Sequence, residues 1–199
     1  MRVLGCDLGR PGGLAVVEDG KMPVVLYVAP TSRTLTLSAL RLWVVELCEA
    51  HAVEMVATER PGSWGIARIG MAQREKQGAV RQACEELKIP LREYQPNAVR
   101  KAVTGNGNAD KPAVAKMVNR LVAFVYGKRS HPLSEHEWDA VAIALCALGK
   151  VRQEQAVKEQ RKMVMRKDRA RAVETGPVGT GGRVASTTGR SAGKVPSER

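Results

Sequence analysis

Short apolar runs recur through the first sixty residues, and each breaks off at an acid or a turn. Val3–Cys6 and Leu14–Val17 are unbroken apolar runs of strand length, the pattern of strands buried on both faces. Between them lie Asp7 and a turn carrying Gly9, Gly12 and Gly13. Glu18-Asp19-Gly20-Lys21 predicts a hairpin turn into a third strand, Val24–Val28. Across Thr34–Ala50 the positions Leu35, Leu37, Leu40, Leu42, Trp43, Val44, Leu47 and Cys48 suit a helix packed on a sheet. Val53–Thr58 is a second strand of the buried type, stopped by Glu59-Arg60-Pro61-Gly62.

The second half reads mainly helical. A loop over Ser63–Arg68 precedes a long helix, Ile69–Leu87, with Ile69, Met71, Ala72, Ala79, Val80, Ala83, Cys84 and Leu87 on its inner side. Ile89–Tyr94 is a short strand, and Pro96 opens a helical turn through Val103. The polar glycine loop Thr104–Lys111 leads to a helix over 112–126 and a polar turn over 127–134. The last core helix is expected over Glu135–Gly149, with Gly149 as its cap. The element order predicts an α/β fold with a mixed sheet of about five strands flanked by helices. Beyond it, Val151–Val173 is charged and helix-compatible, and the Gly/Ser/Thr-rich stretch from Gly176 cannot bury a core. The expected division is therefore a domain over 1–149 and a basic tail over 150–199.

Charge sharpens that division. Lys and Arg total 32 against 20 Asp and Glu, a net +12, of which +8 falls in residues 150–199. Such a balance favours a polyanionic partner. The four cysteines are widely spaced in apolar contexts, with no C-x-x-C pair, which fits buried reduced thiols rather than zinc or disulfides. The longest apolar stretch, Trp138–Leu148, is too short to span a bilayer, so a cytoplasmic protein acting away from membranes is expected.

Within this frame the acids stand out. Asp7 and Glu59 both close buried strands, and Asp139 opens an apolar helix on the same face as His136, three residues before it, and Glu135, four before it. Taken singly, Asp7 is as well explained as a turn cap as by a metal. Together, Asp7, Glu59, His136 and Asp139 make an oxygen-rich set for Mg²⁺ or Mn²⁺ on a basic protein. Two such ions about 4 Å apart suit phosphodiester hydrolysis. Arg68, Arg74, Arg100, Lys101 and Lys111 flank the set and suit phosphate contacts; each alone also reads as a solvated charge. Trp64 suits stacking on an unpaired base or packing under the 69–87 helix. Asn106 and Asn108 offer amides to phosphate or simply shape a turn. No GxxxxGK loop is present, so nucleotide hydrolysis lacks support.

The segments Leu4–Gly9, Val56–Glu59, Val99–Lys111 and His136–Ala144, in that order over about residues 1–149, resemble the RuvC family of Holliday junction resolvases, phage-type members especially. The resemblance implies an RNase H-like fold, a homodimer, and Mg²⁺- or Mn²⁺-dependent nicking of two strands of a four-way DNA junction. It assigns Asp7, Glu59 and Asp139 to the family's acids, and Arg100 and Lys111 to basic residues that contact DNA or support catalysis. His136 falls where many members carry Asp, which leaves the fourth donor between His136 and Glu135. The turn after Asp7 is shorter than in the bacterial housekeeping members. Pro61 and Gly62 separate Glu59 from Trp64, the nearest aromatic to the place of the family's wedge. The expected function is a structure-selective junction endonuclease. The alternatives are an RNase H-fold nuclease acting on other branched DNA or on structured RNA, and a catalytically weak junction-binding protein.

Overall fold

The computed structural model describes residues 1–60, 67–124 and 132–174 of the 199-residue chain. In chain order the elements are β1 (Arg2–Asp7), β2 (Gly12–Glu18), β3 (Val24–Thr31), α1 (Leu37–Ala50), β4 (Met55–Glu59), α2 (Ala67–Leu87), β5 (Leu91–Tyr94), α3 (Pro96–Thr104), α4 (Lys111–Leu121), β6 (Ala123–Phe124) and α5 (Glu135–Glu174). They build one mixed sheet in the order β5-β4-β1-β2-β3-β6. The β1–β2–β3 meander is antiparallel, whereas β4 joins β1, β5 joins β4 and β6 joins β3 in parallel. The arrangement is the expected RNase H-like α/β fold.

Successive strand residues face opposite sides of a sheet, and here both sides are buried. Val3, Ala15, Val17, Met55 and Ala57 point to a core shared with α3, α4 and α5. Leu4, Cys6, Leu14, Val16 and Val56 point to a second core under α1 and α2. This two-sided burial is why the central strands read as unbroken apolar runs. All four cysteines are free and buried, as their contexts predict.

Glycines set how closely α5 lies on the sheet. A Cβ built on Gly5 of β1 would stand 2.1 Å from the Ala140 carbonyl oxygen, and one on Gly13 of β2 would stand 2.3 Å from that of His136. Only glycine leaves room for backbone at that range. Ser134 and Glu137 define the start of α5 as a reciprocal cap: the Ser134 N–H donates to Glu137 Oε2 at 2.8 Å, and the Glu137 N–H donates to Ser134 Oγ at 3.4 Å. The first turn of α5 is thereby fixed in both register and height.

Two local expectations need correction. The helix expected over 112–126 ends at Leu121: Val122 is extended, Ala123 N–H donates to the Pro23 carbonyl, and β6 pairs with β3. A two-residue strand is too short to leave a period in the sequence. Gly149 does not cap a helix, because α5 runs through it to Glu174. The turns beyond Gly149 are tied down by Arg152, which donates to Asp19 and to the Gly20 carbonyl, and by a two-pronged contact of Arg92 with Glu154. α5 therefore continues without a break across residues 149 and 150. By compactness the chain divides into Met1–Ala156 and Val157–Arg199. In the second unit Val157, Met163, Val164 and Met165 are exposed on the helix. Among the described residues no helix is long and apolar enough to cross a membrane.

Candidate metal centre

β1 ends at Asp7, which lies opposite Gly13 in the antiparallel ladder. Its side chain is spoken for at both oxygens: Oδ1 accepts the Gly9 N–H at 3.0 Å, and Oδ2 lies 2.9 Å from His136 Nδ1. The turn behind it is held by the Gly12 N–H, which donates to Thr31 Oγ1 at 2.9 Å. His136 and Asp139, one helical turn apart at the start of α5, both face this strand end. One ligand atom from each of Asp7, His136 and Asp139 lies within 4.8 Å of the others.

Glu59 closes the neighbouring strand. Parallel pairing sets Cys6 beside Thr58, so Asp7 and Glu59 leave the sheet at the same level. Glu59 is not one of the close trio, but it belongs to the same electrostatic cluster. Burial, reinforced by the charges of Asp7 and Asp139 and opposed by Arg100 and Lys111, pushes its pKa up to about 7. Asp139 is also raised, by burial first and then by Asp7, against the pull of Lys111. Lys111, at the start of α4, lies 3.0 Å from Glu135 Oε1 and 3.5 Å from Asp139 Oδ2. Burial alone would lower Lys111, but those two carboxylates more than offset it, and its pKa is raised.

The remaining expected residues divide cleanly. Arg100, half-buried on α3, acts on Glu59, while Lys101 on α3 and Arg74 on α2 are exposed. Trp64 and the side chain of Arg68 lie outside the described residues. Asn106 proves to be a turn former, its Oδ1 accepting the Asn108 N–H at 3.0 Å. Glu135 is half-exposed and committed to Lys111. Sequence reasoning passed over the cap pair Ser134 and Glu137, although Ser134-x-x-Glu137 ahead of an apolar run spells that signal. It also passed over Gly5 and Gly13, whose role depends on a helix distant in the chain.

The donor set fits a hard divalent cation. Carboxylate oxygens and an imidazole converge, and burial and mutual repulsion raise the pKa of both Glu59 and Asp139, an unfavourable crowding of charge that a cation would relieve.

Comparison with known proteins points the same way. The family model described as crossover junction endodeoxyribonuclease RuvC matches residues 3–147. The RuvC of Rhodococcus opacus strain B4 is 35% identical over 155 residues, covering 73% of this chain and 80% of that protein. Among solved structures, Thermus thermophilus RuvC in complex with a Holliday junction substrate superposes with a TM-score of 0.67 at 29% identity, over 77% of this chain and 96% of that one. The yeast mitochondrial Holliday junction resolvase Ydc2 shares the fold, with a TM-score of 0.56 at 15% identity over 83% of each chain.

Proposed function

The chain belongs to the RuvC family of crossover junction endodeoxyribonucleases, and from that premise we propose that it resolves four-way DNA junctions at a divalent-metal centre built on Asp7, Glu59, His136 and Asp139. The observation that carries this reading is the convergence of Asp7, His136 and Asp139 within 4.8 Å at the edge of a basic protein. Two Mg²⁺ or Mn²⁺ ions, when bound, would polarise the scissile phosphate, lower the pKa of the attacking water and stabilise the leaving oxygen.

The protein's part is placement and charge. Asp7 is held by the Gly9 N–H at one oxygen and by His136 at the other, so its carboxylate has little rotational freedom. Asp139 faces it from α5, and Glu59 completes the set once it gives up its proton. His136 is the fourth donor, because its ring already meets Asp7 while Glu135 is engaged with Lys111. Lys111 holds a positive charge beside Asp139, where the phosphate's developing charge would lie. Arg100, Lys101, Arg74 and Arg68 are read as backbone contacts that position DNA without selecting sequence, and Trp64 as a stacking residue. The products are 5′-phosphate and 3′-hydroxyl ends. A twofold dimer sets two centres on one junction, matching paired symmetric cuts. The domain through Ala156 carries the nuclease, and the basic remainder adds salt-sensitive affinity for DNA in the cytoplasm of a bacterial or phage-infected cell.

Synthetic four-way junctions, linear duplex and RNA hairpins, each incubated with the protein in Mg²⁺ or Mn²⁺, test this. Junction cutting that is lost in Asp7→Asn while junction binding persists is the expected result. Preferential RNA cleavage would replace the DNA assignment, and tight junction binding without product in either metal would remove the catalytic one.

A further inference from the structure

Lys76 is a lysine in the wrong place for a surface charge. It sits on α2 with 3% of its surface exposed, and its ammonium donates to the Gly9 carbonyl at 2.5 Å. Lysine is among the residues least often fully buried, and an unpartnered ammonium there is unfavourable. Its acceptor belongs to the turn that fixes Asp7: Gly9 also donates its own N–H to Asp7 Oδ1. The turn has no slack, since a Cβ on Gly9 would stand 2.7 Å from the Pro11 carbonyl oxygen. Burial and the nearby Arg10 pull the lysine's pKa down, and the Asp7 charge opposes them, so ammonium and carboxylate are within electrostatic reach.

We propose that Lys76 is a positioning residue for the metal centre, clamping the Gly9 peptide from α2 so that Asp7 presents its carboxylate to His136 and Asp139. α2 packs on the face of the sheet opposite α5. The end of β1 is thus gripped from both faces, by Lys76 on one side and His136 on the other. Lys76 is too buried to meet a DNA phosphate, so its effect is carried through Asp7. The inference rests on the metal-centre reading above.

The test measures Mn²⁺ binding by calorimetry without DNA, and kcat and KM on a synthetic four-way junction, for wild type, Lys76→Met and Lys76→Arg. Lys76→Met is expected to weaken Mn²⁺ binding and lower kcat by about 10-fold, the usual scale for loss of a group that orients a ligand. KM for the junction should stay near wild type, and Lys76→Arg should recover most of both losses. Val80→Ala, a packing change on the same helix, should lower Tm without altering Mn²⁺ affinity. If Lys76→Met does not fold, Lys76→Gln undergoes the same measurements and faces the same outcomes. Wild-type Mn²⁺ affinity in the neutral variant, or equal loss in Lys76→Arg, overturns the clamp. Absence of Mn²⁺ binding by the wild type overturns both the clamp and the metal reading.

Discussion

Gly13 of β2 lies directly under the main chain of His136, so close that a Cβ on the glycine would stand 2.3 Å from the histidine's carbonyl oxygen. Gly13 is also the ladder partner of Asp7. Together with Gly5 of β1 under Ala140, this missing side chain sets how closely the helix that carries the imidazole and the last acid lies on the strands. Gly13→Ala should push the start of α5 off the sheet and destabilise the protein by roughly 1–3 kcal/mol, the scale of overpacking. Denaturant unfolding should show that loss, and junction cleavage should fall much further than the stability change explains. Cleavage at wild-type rate would mean that α5 adjusts without disturbing the centre.

His136 and Glu135 are adjacent in sequence but differ in what they touch. His136→Ala should lower cleavage by about 10-fold or more, whereas His136→Asp should remain active because it restores an oxygen donor. Glu135→Gln should change the rate by less than about threefold, since this half-exposed side chain meets only the edge of the cluster through Lys111. Full activity in His136→Ala together with loss in Glu135→Gln would exchange their roles.

Lys111 faces two carboxylates and supports Asp139 electrostatically. Removing its charge in Lys111→Met should cost about 100-fold in kcat, as loss of a preorganised charge at a phosphoryl site typically does. Junction binding, measured by gel shift in Ca²⁺, should change far less. A loss confined to binding would make Lys111 a DNA contact only.

Glu59 gives the pH dependence its sign. Its pKa in the folded protein is raised to about 7, above its ordinary value of 4.5. Between those values the metal-free folded state holds a proton that the unfolded state has released. Stability therefore falls as pH rises from about 4.5 to 7 and levels off above that. Thermal unfolding of the metal-free protein at pH 5 and pH 8 should show that fall, and Glu59→Gln should flatten it. Metal binding needs the ionised acid, so apparent Mn²⁺ affinity should rise with pH through the same window. A pH-independent affinity would exclude Glu59 from the centre.

The C-terminal segment should separate into two functions on truncation. A chain ending at Ala156 keeps Arg152 on Asp19 and Gly20, and Glu154 on Arg92, and should unfold near the full-length Tm. A chain ending at Gly149 loses those contacts and should melt lower. Both should show a flatter dependence of DNA affinity on salt, because fewer phosphates are neutralised. An unchanged salt slope after either truncation would remove the tail from DNA binding.

Much of this protein was legible in one dimension. Apolar runs of strand length reported burial on both faces of a sheet. Acids closing two of those runs and opening an apolar helix marked a place where charge is expensive unless a cation is shared. These are local signals, set by side-chain hydrophobicity and the repeat of the backbone. The tertiary structure decided what depends on residues meeting across the chain. Asp7 and His136 are 129 positions apart, and their contact exists because Gly5 and Gly13 let α5 settle onto the strands. The passage of α5 through Gly149 depends on Arg152 and Glu154 finding partners near β2 and on β5. Lys76 is an ordinary surface lysine by its neighbours in sequence, and becomes a buried clamp only because α2 packs against the Gly9 turn. Periodicity records which side of an element is dry; it carries no term for the particular group that folding brings opposite.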